Sequence, residues 1–168
     1  MGQELRWPLC GGILESNAIN AVGIWFYSTS TKRYLYLMRN DSKHPNSWGL
    51  AGGKCEAGET LLDTIHRECW EELGLNFVNA KFLPIEKFTS SDGAFCYHTF
   101  FCQANKEFIP VLNNEHIGYA WIDSGTWPKP MHPGLWSTVN LESVREKVVV
   151  CEANLESTNY YVDDANTA

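Results

Sequence analysis

Between Gly53 and Leu75 the chain reads GKCEAGETLLDTIHRECWEELGL, and this stretch dictates what the remainder can fold into. Leu62, Ile65, Cys69 and Leu73 recur at i, i+3, i+7 and i+11, which predicts a helix turning that stripe inward. Thr60 occupies the N-cap position, with Asp63 three residues on as a weaker capping-box partner than Glu. Gly74 follows the last apolar position and suits a C′ residue of positive φ. A different face carries Glu68, Glu71 and Glu72, at i, i+3 and i+4, so the three are mutual neighbours. At about 5 Å and an effective dielectric of about 20, each such pair repels by roughly 3 kcal/mol before screening. The helix C-terminus adds a dipole that disfavours negative charge. A solvated acidic face is the ordinary fate of a charge run and stands as the alternative. A divalent cation instead converts the repulsion into binding. Hard cations such as Mg²⁺ take carboxylate oxygens and keep positions open for water and phosphate.

The stretch carries a longer pattern: Gly53, Glu59, Arg67, Glu68, Glu71, Glu72 and Gly74 at set spacings. At about 5% usage per residue type, seven such matches arise by chance at a given position roughly once in 10⁹. It resembles the Nudix box, G-x5-E-x7-R-E-U-x-E-E-x-G-U, where U is a bulky aliphatic residue. Leu75 fills the last U, and Cys69 fills the first in place of the commoner Ile, Leu or Val. Cysteine is a small buried hydrophobe, so the departure is a tolerated one.

The resemblance implies an α+β fold, a Nudix-type α/β/α sandwich around a mixed β-sheet. It implies a Mg²⁺-dependent pyrophosphohydrolase, with Mn²⁺ an acceptable substitute, that cleaves a nucleoside diphosphate linked to another moiety. Water attacks phosphorus in that chemistry, which asks mainly for positioning and charge neutralisation. By resemblance, Glu71 and Glu72 are metal ligands, Glu68 is a ligand or general base, and the Gly52 carbonyl is a further ligand. Arg67 and Glu59 are the family's structural pair, and a planar guanidinium can orient carboxylates bidentately. Gly53 and Gly74 are structural members of the box. Glu115, in Asn114-Glu115-His116 ahead of a β-prone run, has the look of the family's downstream ligand or base. Arg39 ends the second predicted strand and is placed to meet a phosphate, a surface ion pair being the alternative. His98 and His116 are weaker acid–base candidates.

A chain of 168 residues, 44% hydrophobic and 20% charged, suits one globular domain spanning 1–168, with its core at about 18–150 and a loose tail from 152. The box alone contributes −4 of the net −7, so the acidity is local. Without a basic stripe, long nucleic acid is a poor partner, whereas a small nucleotide arriving with Mg²⁺ is compatible. Six scattered cysteines without a CxxC, and no signal peptide, favour reduced thiols in a cytoplasmic protein. No apolar run is long enough to span a membrane. A homodimer is compatible with the composition.

Along the chain, 18–27 and 33–39 predict a hairpin and 40–47 a polar loop; by resemblance to the family, 48–53 is a short strand ending in a glycine pair. Residues 77–88, interrupted by Pro84, predict an irregular or edge strand. Residues 95–103 and 117–122 predict strands, 127–135 a proline-rich loop, and 141–150 a helix capped by Asn140. Residues 1–17 predict an irregular or edge segment. Six aromatics, Trp25, Trp48, Tyr97, Tyr119, Trp121 and Trp127, are candidates to stack on a base, although large aromatics are most often core. The family's markers for NADH, ADP-ribose and dinucleoside polyphosphate substrates are absent, which leaves nucleoside triphosphates and nucleotide sugars in front. A nucleotide-binding module without hydrolysis, and an RNA 5′-end pyrophosphohydrolase, are the competing readings. The first normally loses box carboxylates that are present here, and the second wants a basic channel.

Overall fold

The computed structural model of the chain describes residues 17–154. Its strands are β1 (Ile19–Ser28), β2 (Arg33–Arg39), β3 (Trp48–Gly49), β4 (Ala51–Lys54), β5 (Phe82–Thr89), β6 (Phe95–Ala104) and β7 (His116–Asp123). Its helices are α1 (Leu61–Leu73), α2 (Pro133–Asn140) and α3 (Glu142–Asn154). The expected segment over 1–17 and the tail beyond 154 lie, but for Asn17, outside the described residues.

β1 is buried at every position after Ile19, as a central strand covered on both sides must be. It pairs in parallel with β6 along its whole length, and β6 pairs antiparallel with β5. On its other edge β1 changes partner. Ala21–Ile24 face β4, whereas Tyr27–Ser28 face β2, which in turn holds β3 and β7. The result is a seven-stranded mixed sheet.

Alternation along β1 assigns its side chains to two layers. Val22, Ile24 and Phe26 join Ile65, Cys69 and Leu73 of α1 in one core. Trp25 and Tyr27 join Leu135 and Val139 of α2 and Val144 of α3 in the other. The expected α/β/α sandwich is therefore the observed fold. Fully burying a Leu, Ile or Phe stabilises by about 1.5–3 kcal/mol, and both layers are built from such residues.

The helix ends follow the sequence. Thr60 caps α1 by accepting from the Asp63 amide at 3.2 Å, and Asp63 returns the bond to the Thr60 amide at 2.8 Å. Gly74 closes the helix at φ 66. Leu62, by contrast, is 37% exposed; Leu61 takes its place against the core, so the apolar stripe runs 61, 65, 69, 73.

Several boundaries differ from expectation: the strand expected over 48–53 divides into β3 and β4 at Leu50, and the one expected over 77–88 begins only at Phe82. The loop predicted over 127–135 turns helical at Pro133, because proline at the first helical position gives up no needed amide and has φ preset. His132 caps this helix, its Nδ1 accepting from the Gly134 amide at 3.1 Å. Asn140 does not cap the following helix; it ends α2, and its amide nitrogen bonds back to the Trp136 carbonyl at 2.7 Å. Helix α3 continues to Asn154, four residues past the predicted end.

Candidate active site

The box glycines are demanded by contact. Gly52 sits at φ 145, and a Cβ there would meet the Val22 carbonyl oxygen at 2.0 Å. At Gly53 a Cβ would stand 2.2 Å from Glu68 Oε1. Absence of side chains at Gly52 and Gly53 therefore lets β1 and the carboxylates of α1 close on the same backbone.

Arg67 is the hub. Its Nε and Nη2 donate to the two oxygens of Glu59 at 2.7 and 3.1 Å, a bidentate fork. Nη1 donates to Glu68 at 2.9 Å and to Glu71 at 3.3 Å, and Nη2 also reaches the Lys54 carbonyl at 2.9 Å. The expected Arg67–Glu59 pair is thus present, and it extends to two further carboxylates. Arg67 holds the Glu59 carboxyl down to about 2, with burial opposing it.

Glu68 and Glu72 are buried, at 7% and 1% exposure, while Glu71 stands toward solvent. The three therefore do not share one solvated face. Glu72 Oε2 accepts from the Gly52 amide at 2.7 Å. Burial pushes the Glu72 carboxyl up to about 9 in spite of that bond, and Glu68 and Glu115 add to the rise. Burial likewise raises Glu68, opposed by Arg67. Glu115 is delivered by the turn before β7, its amide held by Asn113 Oδ1 at 3.0 Å and its carbonyl by the Asn40 amide at 2.9 Å. His116 is buried with Nδ1 lacking any hydrogen-bond partner among the described residues, 3.9 Å from Glu72 Oε1. His98 stands apart, its Nε2 at 3.0 Å from Asn20 Oδ1. Among the described residues no three acidic, His or Cys side chains form a ready ligand set, because Glu68 and Glu71 turn to Arg67 and Glu72 turns to Gly52.

A cavity of about 370 Å³ adjoins the carboxylates and shares Gly52 with them. Phe88, Phe95, Tyr97, Thr99 and Glu86 of β5 and β6 line one side, His132 and α2 from Pro133 to Thr138 another, and Arg39, Gly49 and Leu50 a third. Arg39 lines the cavity and is paired to Asp41, the ion-pair alternative of its sequence reading. The pair and nearby backbone amides hold Asp41 well below the usual carboxylate range. Of the six candidate aromatics only Tyr97 lines this cavity. Trp25 is sealed among Tyr34, Tyr36 and Trp127, and Trp121 donates to the Phe108 carbonyl at 3.1 Å. Phe88, Phe95, Glu86 and α2 were not legible as site residues. The signal for Tyr97 was Gly23, a lone glycine in an apolar strand. A Cβ at Gly23 would lie 2.1 Å from the Tyr97 hydroxyl, so the ring lies across β1 only because that side chain is missing.

Among the described residues no helix is long and apolar enough to cross a membrane, and five described cysteines are free thiols. The family model of the NUDIX domain matches residues 18–139. The chain is similar to the dihydroneopterin triphosphate diphosphatase of Haemophilus influenzae, 30% identical over 119 residues, covering 62% of this chain and 73% of that protein. It is similar to the nucleoside triphosphatase NudI of Escherichia fergusonii, 33% identical over 90 residues, covering 46% of this chain and 62% of that one. The solved dihydroneopterin triphosphate pyrophosphohydrolase of E. coli shares the fold at TM-score 0.57 and 22% identity, over 80% of this chain and 95% of that one. RenU, a Nudix hydrolase of M. smegmatis, shares it at TM-score 0.62 and 17% identity, over 86% and 90%. With box, sandwich and family match in agreement, the chain belongs to the Nudix family and is a hydrolase of phosphoric anhydride bonds.

Proposed function

We propose that this chain is a Mg²⁺-dependent pyrophosphohydrolase acting on a triphosphate carried by a heterocyclic ring. The carrying observation is an excess of carboxylate beside a ring-sized cavity. Glu59, Glu68 and Glu71 gather around the Arg67 guanidinium, Glu72 lies beside Glu68 and Glu115, and Glu68 and Glu72 are buried. Removing charge from water without a partner is costly. The donors are all oxygen, which suits a hard divalent ion. The residues present fit Mg²⁺: Glu68, Glu71, Glu72 and Glu115, with the Gly52 carbonyl, would hold it. When bound, the ion supplies charge neutralisation at phosphate and an acidified water.

The chain's own residues set the stage for that chemistry. Arg67, tied to Glu59 and the Lys54 carbonyl, keeps Glu68 and Glu71 in place. The Gly52 amide orients Glu72. A carboxylate, Glu68 or Glu115, takes the proton from the attacking water. Arg39, at the cavity wall, meets phosphate. Two relatives named as acting on triphosphates, one of a pterin and one of nucleosides, favour a triphosphate over a nucleotide sugar. Release of pyrophosphate from a triphosphate panel with Mg²⁺, and its loss with chelator, tests the reading. Normal turnover in Glu71→Gln would show the ligand assignment to be wrong.

A further inference from the structure

β5 contains a bulge. Leu83 pairs with Phe101 and Pro84 with Phe100, but the next register partners are Glu86 with Thr99 and Phe88 with Tyr97. Ile85 is the extra residue. Simple alternation from Leu83, a residue of the α2–α3 layer, would send Glu86 to the α1 side of the sheet. The bulge instead brings Glu86 and Phe88 to the cavity side, beside Thr99 and Tyr97. A charged side chain has been re-aimed into a space floored by aromatic rings. Its Oε2 is enclosed and meets no hydrogen-bond donor among the described residues. The terminal torsion of Glu is soft, so the carboxylate can turn its oxygens toward a ligand.

A carboxylate offers acceptors only. The ring edge that satisfies it presents two adjacent N–H donors. Adenine and cytosine set an amino group beside a ring acceptor. Uracil and thymine set one N–H between two carbonyls, and hypoxanthine offers one N–H beside a C–H. A 2-amino-4-oxopyrimidine edge, common to guanine and pterins, offers two donors side by side. We propose that Glu86 selects substrates by accepting from both donors of that edge, with the ring lying against Tyr97, Phe95 and Phe88. The aromatic floor depends on Gly23, which leaves room for Tyr97. The inference rests on the proposed function in taking this cavity as the seat of the substrate ring.

Equilibrium binding of monophosphates to the full chain tests it without turnover. GMP is expected to bind about 10- to 100-fold tighter than IMP, which lacks only the 2-amino group, since a hydrogen bond to a charged group is lost. AMP and UMP are expected to bind no better than IMP. Pterin in place of the purine tells which ring is the better source of the edge. In Glu86→Gln the GMP-to-IMP ratio is expected to fall toward one, with melting temperature reporting the fold. Equal binding of GMP and IMP by the wild type, or no measurable binding of guanine or pterin rings, overturns the proposal even where the variant does not fold. An undiminished ratio in folded Glu86→Gln overturns it too. Pyrophosphate release from GTP, ITP and a pterin triphosphate with Mg²⁺ is read separately. Hydrolysis without ring preference removes this inference and leaves the function; ring preference without hydrolysis does the reverse.

Discussion

The acidic site and the cavity sit against the same glycine and are built by opposite rules. At the site, every buried carboxylate has a donor: Glu68 has Arg67, and Glu72 has the Gly52 amide. The residues come from one short stretch plus Glu115, and small changes propagate through a shared guanidinium. In the cavity, the walls come from β2, β3, β4, β5, β6 and α2, and the enclosed Glu86 oxygen has no donor among the described residues. Chemistry that needs several charges at close range favours a compact segment. Recognition of a flat ring needs surfaces from several directions, so it draws on dispersed segments.

The contrast can be broken or sharpened by substitution. The largest effect is expected from Glu71→Gln: activity falls by about 10²- to 10⁴-fold, while GMP affinity in the absence of metal stays at the wild-type value. Equal loss of both would mean the two regions act as one. Gly52→Ala comes next, because both φ and the Val22 carbonyl oppose a Cβ; a stability loss of about 3 kcal/mol or more is expected in urea unfolding. Arg67→Lys keeps the charge and loses the fork, and about 2–4 kcal/mol of stability should go with it. Gly23→Ala is aimed at the cavity through Tyr97. It should displace the Tyr97 phenol and raise KM about tenfold with kcat nearly unchanged. A fall in kcat of the same size would tie Tyr97 to the chemistry.

The smallest effect concerns the cap of α2. Burial, Arg39 and His44 lower His132 to about 4 from an ordinary 6.5, with Asp41 opposing. The fold thus prefers the neutral ring, whose Nδ1 accepts from Gly134. That contribution is complete above pH 6.5 and is lost as pH falls toward 4. Thermal melts of wild type and His132→Asn across that window should move in the variant's favour on acidification. A difference independent of pH would remove His132 from the account.

Much of the acidic site was legible because its constraints are local. Helical spacing, Thr60 and Gly74 specified α1, and the box positions located the carboxylates. What spacing along one helix does not reveal is which carboxylate goes inward. Glu72 is buried because β4 approaches it through Gly52, a contact twenty residues away in sequence. Leu62 failed for a related reason: the sequence offers two adjacent leucines, and tertiary packing takes Leu61 against the core and leaves Leu62 exposed. The proline-rich stretch concealed α2 because proline both breaks and starts helices, and only Leu135 and Val139, four apart, announce the buried face. Glu86 was invisible to alternation, since one inserted residue reverses the side a strand position faces.

With β1 giving up β4 for β2 partway along, the cavity walls, apart from Gly52 of β4, hang on β2, β3, β5, β6 and α2, which lie outside the box. On the proposed function, substitutions in those walls change which ring is held and leave the carboxylates of α1 untouched.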